Sequence, residues 1–343
     1  MAQLTTLRVG GPAARVVVAD DTDAVIDAVS AADAAGEPLL LLGGGSNLLV
    51  GDDGFDGTVV QVATQGIAVE SSQACSGASV RVAAGHRWDD LVAAAVTREW
   101  AGVEALSGIP GLVGATPVQN VGAYGQQVSE TIASVRTWDR QLCRVRTLAA
   151  ADCEFGYRSS RLKHESHRGG PRYVVLEVTF QLRLSPLSEP LRYAELARTL
   201  GVEVGERAPL AEVREAVLGL RRSKGMVLDD ADHDTWSAGS FFTNPILTCE
   251  QAAQLPVEAP RWPAAEDHVK TSAAWLIEHA GFGKGYGLPG PVSLSTKHTL
   301  ALTNRGSATA ADLLTLARQV RDGVQAAFGI DLEPEPSLVN CTL

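Results

Sequence analysis

The chemistry available to this chain is first suggested by residues 109–125, which read Ile-Pro-Gly-Leu-Val-Gly-Ala-Thr-Pro-Val-Gln-Asn-Val-Gly-Ala-Tyr-Gly. The segment is rich in glycine and alanine and contains no charged residue. A solvated loop would carry charge, and a helix or strand would not tolerate so many glycines. Such backbone can approach a large, flat ligand closely and bind it through its N–H groups. We therefore predict that this segment lines a bound cofactor.

A second glycine-rich segment, residues 43–47, reads Gly-Gly-Gly-Ser-Asn between two short apolar runs. Its N–H groups could surround a pyrophosphate, with hydroxyl and amide donors added by Ser46 and Asn47. Turns of this composition are also common without a ligand. The segment does not fit the GxGxxG pattern that leads into a helix, so the sequence does not predict a Rossmann fold.

Three side chains stand out as candidates for chemistry. Arg158 follows Tyr157 and has no obvious ion-pair partner nearby in the sequence, whereas Ser240 stands between a glycine and two phenylalanines. Pro334 stiffens the segment that carries Glu335. Each also has an ordinary interpretation as a surface arginine, a turn serine or an exposed glutamate.

Composition excludes several classes of function. The 343 residues carry a net charge of −11, which disfavours binding to nucleic acid or to an anionic membrane. No stretch has the length of a membrane span and the first residues lack a signal-peptide pattern, so we expect a cytoplasmic protein. The five scattered cysteines predict neither a disulfide framework nor a metal site. No GxSxG, HExxH or P-loop motif supports a hydrolase or kinase.

The elements that must position these residues alternate between helices and strands. We expect Thr22 to cap a helix that stops at Gly36, and a later helix to begin near Pro209. Further helices are predicted at residues 88–100, 272–280 and 309–328, and strands at residues 38–42, 48–50, 134–139, 142–147, 173–184 and 330–335. An acidic linker at residues 228–234 is the expected domain boundary.

Taken together, these motifs resemble those of the UDP-N-acetylenolpyruvoylglucosamine reductase family. The resemblance is carried by residues 42–47, 109–125, 157–159, 239–245 and 332–335, in family order over nearly the whole chain. It implies an α+β protein with a vanillyl-alcohol-oxidase/PCMH-type FAD-binding fold of two α+β subdomains, followed by an α+β substrate-binding domain. Residues 1–66, completed by 331–343, would form the first subdomain, 67–224 the second, and 225–330 the substrate-binding domain.

The resemblance also implies the reaction. NADPH would reduce non-covalently bound FAD, which would then reduce UDP-N-acetylglucosamine enolpyruvate to UDP-N-acetylmuramate for peptidoglycan synthesis. Arg158 would stabilise charge on the substrate carboxylate, Glu335 would polarise the same end, and Ser240 would protonate the α-carbon. We expect these two small molecules as partners, no metal, and a monomer.

The binding residues implied by the resemblance form two sets. FAD would contact Gly43, Gly44, Gly45, Ser46, Asn47, Ser107, Ile109, Pro110, Gly111, Gly114, Ala115, Gly122 and Ala123. The substrate would contact Tyr124, Tyr157, Tyr193, Lys224, Asn244 and His298. The chain departs from the family pattern at Pro336 and Ser337, where a valine and an arginine are usual, and in a longer segment at residues 224–236.

Two other functions remain open at this point. An oxidase or dehydrogenase of the same fold could hold flavin covalently, with His86 as a conceivable anchor. A flavin- or nucleotide-binding protein without turnover is the other alternative. Flavin that stays with the polypeptide after acid precipitation would indicate the first, and flavin that NADPH does not reduce would indicate the second.

Overall fold

The computed structural model describes residues 1–264 and 267–343 and divides the chain into two compact units. Unit 1 comprises Met1–Pro12, Gly45–Phe55 and Ser223–Leu343, and unit 2 comprises Ala13–Gly44 and Asp56–Arg222. The chain therefore leaves unit 2 within the glycine turn and returns to it after residue 55. The three-part division expected from the sequence stays a prediction.

The α-helices and strands are mixed along the chain. The helices are α1 Thr22–Ala35, α2 Trp88–Thr97, α3 Arg161–His164, α4 Ala194–Leu200, α5 Leu210–Ser223, α6 Cys249–Gln254, α7 Ala273–His279 and α8 Ala310–Phe328. The strands are β1 Ala13–Ala19, β2 Leu39–Leu42, β3 Leu48–Val50, β4 Phe55–Val62, β5 Ile67–Gln73, β6 Gly77–Ala83, β7 Trp100–Ala101, β8 Gly122–Ala123, β9 Gln126–Gln127, β10 Ile132–Asp139, β11 Arg144–Ala149, β12 Ser166–His167, β13 Gly170–Pro171, β14 Tyr173–Leu184, β15 Ile246–Leu247, β16 Arg261–Pro263, β17 Val269–Thr271, β18 Val292–Leu294, β19 Leu302–Asn304 and β20 Ser337–Val339.

Unit 2 is built around an antiparallel sheet in the order β11-β10-β14-β6-β5, with β7 paired to one end of β14. The central strand β14 alternates buried Val174, Leu176, Val178 and Phe180 along one face, as its sequence pattern predicts. A smaller sheet in the order β1-β4-β2 includes a parallel pair, β2 with β4. Helix α1 contributes buried Val25 and Val29 to the same core. The glycine turn at residues 43–47 follows β2 directly, and the 109–125 segment follows β7 in the chain.

Unit 1 contains short antiparallel sheets and the long helix α8. Strands β15, β17 and β16 form one sheet, and β18 pairs with β19. Helix α8 buries Leu313, Leu316, Val320 and Val324, which recur at helical spacing on one face. Strand β20 pairs in parallel with β3, so Val339 lies opposite Val50.

Helix boundaries agree with the sequence signals except at two ends. The side chain of Asp21, not Thr22, caps α1 by accepting from the Ala24 amide, while Gly36 ends the helix in the left-handed conformation as predicted. Helix α2 ends at Thr97 rather than near residue 100, because Trp100 begins the short strand β7 against β14.

The final strand was predicted in the wrong place. Residues 330–335 form no ladder, and the structure has a single bridge there, between Phe242 and Pro334. The strand is Ser337–Val339 instead. Pro334 and Pro336 lack the N–H groups that a ladder across this stretch would use. Within residues 1–264 and 267–343, no helix is long and apolar enough to cross a membrane.

Candidate active site

Within unit 2, Gly44 of the glycine turn packs against the loop that starts the 109–125 segment. A β-carbon added to Gly44 would lie only 2.8 Å from the Cα atom of Gly111, so this approach requires glycine. In the described part of the chain, the N–H groups of Gly43, Gly44, Ile109 and Gly111 donate to no protein acceptor. Free backbone donors on two adjoining glycine loops fit the pyrophosphate of the expected FAD.

The start of the 109–125 segment is held by a charged cluster. The Gly108 amide donates to Oδ1 of Asp89 at 2.6 Å, and the two carboxylate oxygens of Asp89 accept from Arg214 at 2.7 and 2.8 Å. Burial alone would raise the pKa of Asp89, but the hydrogen bonds from Arg214 and Gly108 hold it below its usual value. Asp89 thus joins the first turn of α2 to helix α5 and to the loop.

The middle of the same segment is fixed by backbone contacts. The Gly114 amide donates to the Ala84 carbonyl at 2.8 Å, and a β-carbon on Gly114 would lie 2.5 Å from that of Ala84. Ala115 follows in the same short 3₁₀ turn. The hydroxyl of Ser107 is buried and donates to the Glu104 carbonyl at 2.7 Å, so it stabilises the turn before the loop.

Arg158 lies at the tip of a tight turn in unit 2. The backbones of Gly156 and Ser159 bond each other across the turn, and Arg158 adopts a φ of +51°. This left-handed conformation is strained for a residue with a side chain. The Nη2 group donates to the Gly122 carbonyl at 2.9 Å, which places the guanidinium beside the 109–125 segment. The structure therefore brings Arg158 to the Gly122–Ala123 strand, and its part in a site stays a prediction.

Three tyrosines predicted to contact substrate are found near these groups. Tyr124 meets Tyr193 edge to face, with ring centroids 5.4 Å apart. The ring of Tyr157 lies 5.7 Å from the guanidinium carbon of Arg158. Tyr157 and Tyr193 keep about two-fifths of their surface exposed, at 39% and 42%. Both residues are therefore partly exposed, and their contacts with a substrate stay predictions.

Arg221 was missed by sequence reasoning. Burial lowers its pKa to about 10, while the carboxylate of Asp89 acts in the opposite direction. It follows Arg214 by seven residues on α5, so the two arginines share a helix face. The seven-residue spacing of the two arginines is the one local sequence feature that could have drawn attention to Arg221. The contact of Arg214 with Asp89 could not be predicted locally, because the two residues lie 125 positions apart.

Ser240 and Glu335 are brought together by backbone pairing in unit 1. Phe242 forms a bridge with Pro334, and the Glu335 amide donates to the Phe241 carbonyl at 2.9 Å. The rings of Phe241 and Phe242 are only 1% exposed. Ser240 and Glu335 themselves are half-buried at the edge of this apolar cluster. The hydroxyl and the carboxyl group therefore extend from adjacent, firmly packed segments.

The end of the glycine turn belongs to the same arrangement. The side-chain amide of Asn47 donates to the Glu335 carbonyl at 3.3 Å, and the Asn47 carbonyl accepts from the Ser337 amide at 3.0 Å. Pro336, one of the two departures from the family pattern, is buried between these bonds. Gly45 has a φ of +60° and lies immediately before Ser46.

The remaining substrate candidates lie in separate segments of unit 1. Lys224 follows α5 directly, and the His298 amide donates to the Ser295 hydroxyl at 3.3 Å. Oδ1 of Asn244 accepts from the Ala273 amide at 3.0 Å, so the start of α7 orients that side chain. Their contacts with a substrate stay predictions.

Known proteins similar to this chain share both of its parts. Residues 230–339 match the family model for the UDP-N-acetylenolpyruvoylglucosamine reductase C-terminal domain, and residues 13–144 match the FAD binding domain model. The UDP-N-acetylenolpyruvoylglucosamine reductase of Cutibacterium acnes is 59% identical over all of this chain and 90% of its own length. The Thermobifida fusca protein of the same name is 56% identical over 100% and 97% of the two chains.

A solved structure is also similar to this chain, at lower sequence identity. The reductase of the same name from Thermus caldophilus superposes with a TM-score of 0.66 at 25% identity. The match covers 98% of this chain and 96% of that one. The relatives at high identity and this structural match agree over nearly the full length of the chain.

Proposed function

The chain belongs to the UDP-N-acetylenolpyruvoylglucosamine reductase family, and from this premise we propose that Arg158, Ser240 and Glu335 carry out its chemistry. The enzyme uses FAD and NADPH to reduce UDP-N-acetylglucosamine enolpyruvate to UDP-N-acetylmuramate in peptidoglycan synthesis. Its FAD-binding part has the vanillyl-alcohol-oxidase/PCMH-type fold. Neither the oxidase nor the binding-protein alternative is retained, because relatives at up to 59% identity are reductases.

In the proposal, backbone donors hold the cofactor. The N–H groups of Gly43, Gly44, Ile109 and Gly111 would bind its pyrophosphate, and residues 112–123 would lie against its ring system. Bound FAD would supply the hydride transfer from NADPH to the enolpyruvyl double bond. The protein's own part is to fix these donors before the cofactor arrives, and Asp89 does so for Ile109 by holding the amide of the preceding residue, Gly108.

Arg158 is proposed to stabilise the charge of the reaction. Hydride addition to the enolpyruvyl β-carbon places negative charge on the substrate carboxylate. A guanidinium held in advance by the Gly122 carbonyl can receive that charge without reorganising, and such a donor contributes about 3–4 kcal/mol in other enzymes. The strained φ of Arg158 supports a functional rather than a packing role.

Ser240 is proposed as the proton donor to the substrate α-carbon. A serine hydroxyl is a weak acid in water, so this role needs a strongly basic enolate and a dry surrounding. The buried rings of Phe241 and Phe242 supply such a surrounding on one side. Transfer of this proton completes the addition across the double bond.

Glu335 is proposed to act on the carboxylate end of the substrate. Two carboxyl groups can face each other only when they share a proton or have a cation between them. The backbone of Glu335 is held on both sides, by Phe241 and by Asn47, which supports a fixed direction for its side chain. The pairing of the Ser240 and Glu335 segments is the observation that carries the whole assignment.

The proposal also covers substrate contacts, the oligomeric state and the cellular location. Tyr124, Tyr157 and Tyr193 would contact the substrate together with Lys224, Asn244 and His298. We also propose a monomer that acts in the cytoplasm, where NADPH is available. Sedimentation of the purified enzyme at several concentrations tests the oligomeric state.

Separating the two half-reactions tests the role of Ser240. In Ser240→Ala, anaerobic reduction of the flavin by NADPH should stay nearly normal, whereas reoxidation by the enolpyruvyl substrate should slow about a hundredfold. Ser307→Ala, at an exposed serine of the same unit, is the matched control. Equal slowing of both half-reactions would contradict the proton-donor role.

A further inference from the structure

Thr6 is a buried residue that none of the motifs includes. Its side chain and backbone together are 8% exposed. Its amide donates to the Gly45 carbonyl at 3.1 Å, and its hydroxyl donates to the Ser237 carbonyl at 2.6 Å. One threonine therefore bonds both the glycine turn and the segment that leads into Ser240.

The segment around Thr6 is itself fixed on two sides. A β-carbon on Gly45 would lie 1.9 Å from the Leu4 carbonyl oxygen, so residues 4–6 cross directly over that glycine. On the other side, the Asn304 side-chain amide donates to the Leu7 carbonyl at 3.0 Å. Thr6 is thus a rigid link and not a flexible terminus.

The two bonds of Thr6 reach segments that carry proposed functional groups. Gly45 lies two residues before Asn47, which bonds Glu335, and Ser237 lies three residues before Ser240. We propose that Thr6 is a positioning residue that fixes the Ser240 segment relative to the glycine turn. It acts through the Ser237 carbonyl, and the inference rests on the proposed role of Ser240.

The amide and hydroxyl bonds of Thr6 can be tested separately, because a change of side chain removes only the hydroxyl. The bond to Gly45 comes from the backbone of Thr6 and survives a change of side chain. The hydroxyl makes the short bond to the Ser237 carbonyl at 2.6 Å and a second, longer contact with the Gly45 carbonyl at 3.5 Å, where the amide bond remains when the hydroxyl is removed. Thr6→Val keeps the branched shape and removes that hydroxyl, so the Ser237 carbonyl loses its donor while packing stays close to native.

The experiment measures both half-reactions of the full-length, FAD-loaded enzyme under anaerobic conditions. In Thr6→Val, reoxidation by the enolpyruvyl substrate should slow about tenfold with an increased solvent deuterium isotope effect, whereas reduction by NADPH should stay within about twofold. Thr6→Ser restores the hydroxyl and should recover most of the reoxidation rate. Thermal unfolding of each apoprotein records the loss of stability separately.

Thr5→Val is the matched control for a merely structural effect. Thr5 is similarly buried, at 7%, but its hydroxyl donates within its own segment, to the Val9 carbonyl at 3.3 Å. This variant should lose stability without changing the ratio of the two half-reactions. The same change of ratio in Thr5→Val, or an unchanged ratio in Thr6→Val, would overturn the inference.

Ser240→Ala in the same assay distinguishes the two proposals. Normal reoxidation in Ser240→Ala would refute the proposed function itself, whereas slow reoxidation there with a normal Thr6→Val would refute only the role of Thr6. Should Thr6→Val fail to fold, Thr6→Cys offers a weaker donor in its place. That variant should show a smaller change in the same direction, and an unchanged ratio would contradict the inference.

Discussion

The Arg158 turn of unit 2 and the Ser240–Glu335 region of unit 1 are built on opposite principles. Arg158 is held by the Gly122 carbonyl, 36 residues away in the chain. In unit 1, the Asn47–Glu335 bond spans 288 residues and the Thr6–Ser237 bond spans 231. Arg158, proposed to stabilise charge, is therefore positioned by a neighbouring loop. Ser240 and Glu335, proposed to act on the substrate, lie in segments that are bonded to residues more than 200 positions away in the chain.

This difference predicts how each region tolerates damage. A local turn can be altered without disturbing distant segments, because its contacts lie within a short stretch of chain. In a region assembled from distant segments, one contact helps to position several candidate functional groups, as the Asn47–Glu335 and Thr6–Ser237 bonds do. Substitutions in unit 1 should therefore affect stability and chemistry together, whereas those at Arg158 should affect chemistry alone.

The largest effect is expected for Gly45→Ala. The new β-carbon would collide with the Leu4 carbonyl, and the φ of +60° adds strain, so the free energy of unfolding should fall by about 3 kcal/mol or more. Urea unfolding and FAD retention measure this. Gly329→Ala is the control, since Gly329 has a similar φ of +68° and no atom within 4 Å of its added β-carbon. It should cost only about 1 kcal/mol.

Arg158→Lys should have the next largest effect, and on catalysis alone. A point charge replaces the planar fork that bonds the Gly122 carbonyl, so reoxidation by substrate should slow about ten- to a hundredfold. The unfolding midpoint should stay within about a degree. Arg87→Lys, at an exposed arginine of the same unit, should change neither quantity. Near-normal turnover in Arg158→Lys would remove Arg158 from the site.

The smallest effect concerns Asp89, which forms a charged contact within unit 2 with Arg214, 125 residues away in the chain. Its folded pKa is lowered, so its stabilisation is fully present above the unfolded pKa of about 4 and is lost as pH falls through the folded value. Asp89→Asn should therefore cost about 1 kcal/mol at pH 7, and the difference from the native enzyme should shrink below about pH 4. Urea unfolding at several pH values measures this.

Asp90→Asn provides the control for that experiment. Asp90 is the next residue, its side chain is 57% exposed, and it pairs with Arg87 only at 3.5 Å. Its substitution should change stability little at any pH. A constant difference between native enzyme and Asp89→Asn across the acid range would show that the carboxylate's charge is not what stabilises Gly108.

The sequence predicted local features well. Gly36 ends α1 as predicted, the helices predicted at residues 272–280 and 309–328 are found as α7 and α8, and alternation identified β14. Each of these signals depends on residues within a few positions. The α1 cap was misplaced by one residue since Asp21 and Thr22 are both good capping types.

Features that depend on distant pairing were predicted less well. A strand was predicted at residues 330–335, but Ile330 and Leu332 are buried there without a ladder, and strand β20 instead pairs with β3. Neither the Gly122 partner of Arg158 nor the Thr6 link could be read from local sequence. Arg158, Ser240 and Glu335 stood out as candidates in the local sequence, but their roles in the reaction came only from the resemblance to a family.

The pairing of β20 with β3 also has a consequence during synthesis. A ribosome completes residues 48–50 long before it reaches residues 337–339. Strand β3 therefore has no partner while residues 56–222 of unit 2 are synthesised. Non-local pairing of this kind is slow to form. We expect nascent chains halted before residue 337 to protect unit 2 from protease while the Asn47 region stays open to cleavage.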